Sequence, residues 1–168
     1  IKVALVHDWL TQNYTGGSEK VLKEIQEILF KKNVNYDLYT LVNHQNKDFV
    51  KGFNQQKVFT SLIQNLPFSR KHFHKYLPLF PFAIEQFDLN AYDLILSSSH
   101  SVAKGVITSP DQLHISYVHT PMRYAWDQMN TYIESSKLSK FGFEIIFRYL
   151  LFKLRQWDSQ TGSRPDYL

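Results

Sequence analysis

The chain has 168 residues, with Lys+Arg 19 against Asp+Glu 15, a net charge of +4 and an aromatic content of 15%. That length suffices for one domain with a real core, and so many aromatics exclude a disordered chain. Cysteine is absent, which excludes disulfides, thiolate chemistry and cysteine zinc sites and fits a reducing cytoplasm; no apolar run reaches the ~18–20 residues of a membrane span, and the mild positive charge points to an anionic partner.

"IKVALVHD" at residues 1–8 is a short apolar run of the kind found in a buried parallel strand. "NYTGGSEKVLKEIQEILFKK" follows, with a Gly pair at a turn and Val21, Leu22, Ile25, Ile28 and Leu29 at helical spacing. Glu19 in the first turn and Lys31 and Lys32 in the last complement the helix dipole. "YDLYTLV" reads as a second strand, so the chain opens β–loop–α–β, the start of a doubly wound sheet.

The middle differs in composition. Residues 49–84, from Phe49 to Ile84, contain no Asp or Glu and carry Lys51, Lys57, Arg70, Lys71 and Lys75 among Phe, Leu, Tyr and Pro. "SLIQNLPFSRKHFHKYLPLFPFAIEQF" predicts two short helices broken at Pro67, Pro78 and Pro81. Two readings of this stretch stand. One is a core-packing helical excursion with a solvated basic face; the other is a surface that meets anionic lipid.

"YDLILSSSH" and "LHISYVH" are two further strands. Phe143, Ile146, Phe147, Leu150, Leu151 and Leu154 then predict a long, mostly buried helix within residues 139–162. Asp166-Tyr167-Leu168 echoes Tyr92-Asp93-Leu94 and predicts the first step of another strand, so a chain cut from something longer is expected. The overall expectation is a Rossmann-like α/β fold, a doubly wound and mostly parallel sheet with helices on both faces, over residues 1–168 as a single domain.

Three of the apolar runs end in histidine: His7, His100 and His119. In an open parallel sheet ligands bind outside the carboxyl ends of the strands, and neighbouring strands lie about 4.8 Å apart, so the three rings can share one crevice. The alternative is that each simply finishes a strand. A zinc site is not expected, because no H-E-x-x-H occurs, and there is no D-x-D for a metal–diphosphate. Ser97, Ser98 and Ser99 lack the G-x-S-x-G elbow of a nucleophile. Gly16 and Gly17 open the first helix, where amides and the helix dipole favour a phosphate. They match neither a dinucleotide fingerprint nor a P-loop. Ser98 and Ser99 add hydroxyls at the same mouth, with Asp8 beside His7.

"VHDWL", "GGSEKVL", "LPLFPFAIEQFDLNAYDLILSSSHSVAKGV" and "YVHTPMRYAWD", in that order over nearly the whole chain, resemble the N-terminal domain of family 4 glycosyltransferases, especially bacterial mannosyltransferase-like enzymes of surface-polysaccharide assembly. The resemblance implies the N-terminal half of a GT-B fold, with a C-terminal donor-binding domain outside this sequence. It implies a retaining transfer of a hexose from a nucleotide-sugar to a saccharide or lipid-linked acceptor, at the cytoplasmic membrane face. No cofactor and no obligatory metal are expected, since amide dipoles and cations can stabilise the leaving group.

Matched by position, Gly16 and Gly17 would approach the donor, and His119 would hydrogen-bond the transferred sugar. His7, Asp8, Ser99, His100, Lys104, Arg123, Tyr124 and Trp126 would line the acceptor side. Within that set Arg123 and Lys104 are candidates for an acceptor phosphate. Trp126 either stacks on a sugar or packs the following helix. Two other readings remain: a non-catalytic sugar- or partner-binding module of the same fold, and a sugar-nucleotide epimerase, which would need cleft carboxylates. No nucleic-acid reading motif is present.

Overall fold

A computed structural model describes residues 1–11, 16–45, 54–135 and 143–168. Three parts of the sequence reading lie outside these residues: Thr15 ahead of the Gly pair, 49–53 with Lys51, and 139–142 at the expected start of the last helix.

Strands β1 (Val3–His7), β2 (Tyr36–Thr40), β3 (Gln55–Thr60), β4 (Leu94–Ser99) and β5 (Leu113–Val118) form one sheet in the order β3-β2-β1-β4-β5. Every pairing is parallel. This is the Rossmann-like arrangement, with the switch in strand order at β1. Successive side chains of a strand point to opposite faces, and β1 is apolar on both. Val3 and Leu5 pack with Leu22 and Leu29 of α1 (Gly17–Lys31), while Ala4 and Val6 join Phe80, Ile84, Leu151 and Leu154 on the other face. That double burial explains the uninterrupted apolar run of the sequence.

β3 was not predicted. Its sequence, QQKVFT, has no buried residue, because it lies at the sheet edge and pairs only with β2. The excursion at 61–87 is also more broken than expected. It comprises a 3₁₀ turn (Leu62–Asn65), α2 (Ser69–His72), a second 3₁₀ stretch (Phe73–Leu79) and α3 (Phe80–Glu85). Pro67 separates two of these, as expected. Pro78 instead lies within the second 3₁₀ stretch and Pro81 in the first turn of α3, where a missing amide is harmless. Ile63, Phe73, Leu77, Phe80 and Ile84 are buried in the main core.

α4 (Met129–Ser135) precedes α5 (Glu144–Thr161). α5 is less buried than its periodicity predicts. Leu151, Leu154, Asp158 and Thr161 face the core, whereas Ile145, Ile146, Tyr149 and Phe152 are exposed. Its early turns meet α4, where Phe147 stacks on Tyr132 and Arg148 donates to Asn130. Beyond α5, the Ser116 amide donates to the Tyr167 carbonyl and Tyr167 bridges Ile115 in parallel, the strand step expected at 166–168. Among the described residues no helix is long and apolar enough to cross a membrane.

Candidate functional site at the carboxyl end of the sheet

The register pairs His7 with Ser98 and Ser98 with Tyr117. His100 and His119 therefore leave β4 and β5 at the same edge of the sheet, beyond neighbouring strands. The His100 ring lies 5.7 Å from that of His7 and 6.4 Å from that of His119, and meets Trp9 edge-on at 4.4 Å. The Glu19 carboxylate acts electrostatically on all three imidazoles, so the first turn of α1 faces the same mouth. Adjacency of β1, β4 and β5 thus gathers residues that are up to 112 positions apart (119 − 7).

The three rings differ in charge because their neighbours differ. His7 is fully buried. Its Nδ1 lies 3.1 Å from the Ser98 carbonyl, which can only accept, so Nδ1 carries the hydrogen and Nε2 is an acceptor without a partner among the described residues. Burial pushes its pKa down to about 4, leaving it neutral. His119 Nε2 lies 2.9 Å from Ser98 Oγ, and its pKa is lowered, first by burial and then by the charge of His100. His100 is the exception. Burial alone would lower its pKa, but Asp8 outweighs burial and raises it; Nδ1 lies 3.0 Å from Asp8 Oδ2, in ion contact without good hydrogen-bond alignment. His100 therefore holds a proton more readily than either neighbouring ring.

Asp8 is not a cleft wall as expected. It is fully buried, and its carboxylate accepts four amides: His100 at 2.6 Å and Ser101 at 3.0 Å on Oδ2, Val102 at 2.6 Å and Ala103 at 2.7 Å on Oδ1. It fixes the turn after β4. Its pKa stays low because His100 and these amides outweigh the burial that would raise it. Ser99 is likewise buried, and its contribution is its carbonyl, which accepts the His119 amide at 2.8 Å. Ser98 is the serine whose hydroxyl reaches a ring.

Gly16 and Gly17 start α1 without any left-handed backbone. The Gly16 amide donates to Glu19 Oε2 at 2.9 Å, half of a capping box. A side chain on Gly17 would meet nothing within 4 Å, so this position is open to an approaching ligand.

The second expected block is assembled differently. Lys104 does not point to solvent or to an acceptor: it is buried, and its ammonium pairs with the buried Asp158 of α5. The Trp126 indole Nε1 donates to the other oxygen of Asp158 at 2.8 Å, while its ring remains 45% exposed. Tyr124 hydroxyl is bonded to Ser101 Oγ, tying the loop after β5 to the turn after β4; burial pushes this phenol well above its usual range. Arg123 is exposed and paired with Asp127 at 3.1 Å. Thr120, Pro121, Arg123, Trp126, Asp127 and Ser159 line an open depression of about 520 Å³.

Sequence reasoning missed Asp158. Its signal was present, since Leu151, Leu154, Asp158 and Thr161 form one buried stripe of α5 and a carboxylate in such a stripe demands a partner. Among the described residues no group of three His, Asp or Glu side chains is placed to hold a metal ion. Comparison with protein-family models, with curated proteins and with solved structures finds no match.

Proposed function

We propose that the chain is the acceptor-side half of a retaining glycosyltransferase. It would move a hexose, mannose by the family resemblance, from a nucleotide-sugar to a saccharide or lipid-linked acceptor. The observation that carries this reading is the gathering of His7, His100 and His119 at the mouth of a parallel sheet, with His100 paired to the buried Asp8, beside the first turn of α1. In the transfer the C1–O bond to the diphosphate would break, its electron pair leaving with the phosphate, while the acceptor hydroxyl oxygen forms the new bond to C1 and its proton passes to the departing phosphate oxygen. His100 would offset the leaving-group charge. His119, oriented by Ser98, would hold a sugar hydroxyl. Nucleotide binding would fall mainly to a C-terminal domain.

A membrane contact belongs to the same proposal, at the cytoplasmic face. Phe68 is 82% exposed and held at φ 58°, a conformation that costs a bulky residue. Arg70, Lys71 and Lys75 are exposed nearby in sequence, and residues 54–84 contain no acid. Exposed apolar groups among cations favour an anionic lipid surface.

The test joins this chain to its C-terminal domain and follows nucleoside diphosphate release from UDP- and GDP-sugars with an acceptor present. Release from one donor, lowered at least ~100-fold by His119→Ala, is the expected result. No release from any donor by the folded protein would favour the non-catalytic binding module.

A further inference from the structure

We infer that the depression beside Trp126 is a pyranose-binding subsite whose aromatic platform is held in place by the buried Lys104–Asp158 ion pair. The inference rests on the transferase reading for its role as the acceptor side, and it adds the chemistry of that acceptor: a sugar ring with at least two free hydroxyls.

The argument starts from burial. A charged pair is costly to bury unless both partners are well satisfied, and here Lys104 and Asp158 are each 6% exposed. Nothing in the sheet requires them. Lys104 comes from the turn after β4 and Asp158 from the last turn of α5. Their joint effect is on a third residue. Asp158 gives one oxygen to Lys104 and the other to the Trp126 indole, at 2.8 Å. The indole edge is thereby fixed while nearly half of the residue stays open to solvent. A tryptophan that merely packed a helix would not be left so exposed, and a mobile one would not need an ionic anchor.

The neighbouring polar groups suit a sugar. Asp127 Oδ2 accepts from Nε and Nη2 of Arg123, at 3.2 and 3.1 Å. That leaves Asp127 Oδ1 to accept and Arg123 Nη1 to donate, neither with a partner among the described residues. A carboxylate and a guanidinium side by side match a vicinal pair of hydroxyls, one donating and one accepting. The exposed indole face offers the apolar surface on which the C–H face of a pyranose lies. The space of about 520 Å³ falls within the usual range for small-ligand sites and exceeds a single ring. Thr120 and Pro121 form part of the wall, so the site begins one residue beyond His119 in the chain.

The chain has three tryptophans, so a ¹H–¹⁵N spectrum resolves three indole signals, and the one absent from Trp126→Phe is that of Trp126. Mannose-, glucose- and galactose-based trisaccharides are the probes, titrated at millimolar concentrations. At least one should shift the Trp126 signal saturably and leave those of the buried Trp9 and of Trp157 in place. Lys104→Met, which preserves bulk without charge, should weaken that saccharide about tenfold while the dispersion of the remaining spectrum persists. If Lys104→Met unfolds the protein, Arg123→Ala on the exposed wall gives the same readout. The inference is overturned if no trisaccharide moves the Trp126 signal, or if Trp126→Ala binds the probe as tightly as the unmodified chain. Failure of nucleotide turnover with saccharide binding intact would remove the transferase reading and leave this site as that of a binding module.

Discussion

His7 and His114 are each fully buried, and burial pushes both pKa values from 6.5 down to about 4. The folded chain refuses protons that the unfolded chain accepts below pH 6.5. Their neutral forms therefore favour folding above that pH, and the advantage is lost as pH falls from 6.5 toward 4. Asp8 works in the same direction at lower pH, since its pKa is depressed. His100, with a raised pKa, works the other way: its contribution is complete below its ordinary value and fades as pH rises through the folded one. Unfolding free energy from urea melts should consequently fall between pH 6.5 and 4. His114→Gln should flatten that slope by about one proton; an unchanged slope would contradict the assignment. Of the eleven residues singled out from sequence, the three histidines meet at one mouth and Gly17 has open space beside it. The positions of Asp8, Ser99 and Lys104 were legible as neighbours of that mouth, but their burial was not. A residue's side of a turn depends on which hydrogen bonds the turn leaves unmade, and four amides here claimed Asp8.

At the scale of elements, the turn after β4 and the last helix are locked together. Gly105 packs directly against Trp157: a Cβ there would collide with the indole ring. That ring is pinned by its Nε1 bond to Glu85 at 2.9 Å and by Arg164 over its face. The backbone of Gly105 has no left-handed requirement, so Gly105→Ala isolates the packing effect. It should destabilise the fold by about 1–3 kcal/mol, read as a lower urea midpoint at unchanged m-value. The central strands and α1 were legible because their burial is two-sided or periodic. β3 was not, because an edge strand with no fully buried residue leaves little hydropathy signal. The exposed first half of α5 was overestimated for a related reason: periodicity reports what a helix is able to bury, and only packing decides what it does bury.

At the scale of the whole molecule, charge and apolar exposure are unevenly distributed. Phe68, Leu79 and Phe82 are exposed on an excursion whose charged side chains are cationic from 54 to 84. If the proposed membrane contact is correct, the chain should co-sediment with vesicles in proportion to their anionic lipid content. Phe68→Ser with Lys71→Glu should abolish this, and 0.5 M-scale salt, which shortens the Debye length to about 4 Å, should weaken it. Binding that ignores lipid charge would remove the proposal.

The sequence by itself determined the α/β class, the parallel sheet, four of its five strands and the two longest helices. These follow from local periodicity, and every residue needed to read them lies within one element. The tertiary structure alone decided that β1, β4 and β5 lie side by side, that the Asp8 carboxylate pairs with His100, and that Asp158 joins Lys104 to Trp126. Those facts depend on strand order and on contacts across 32 to 92 positions, and no local pattern encodes a distance that long.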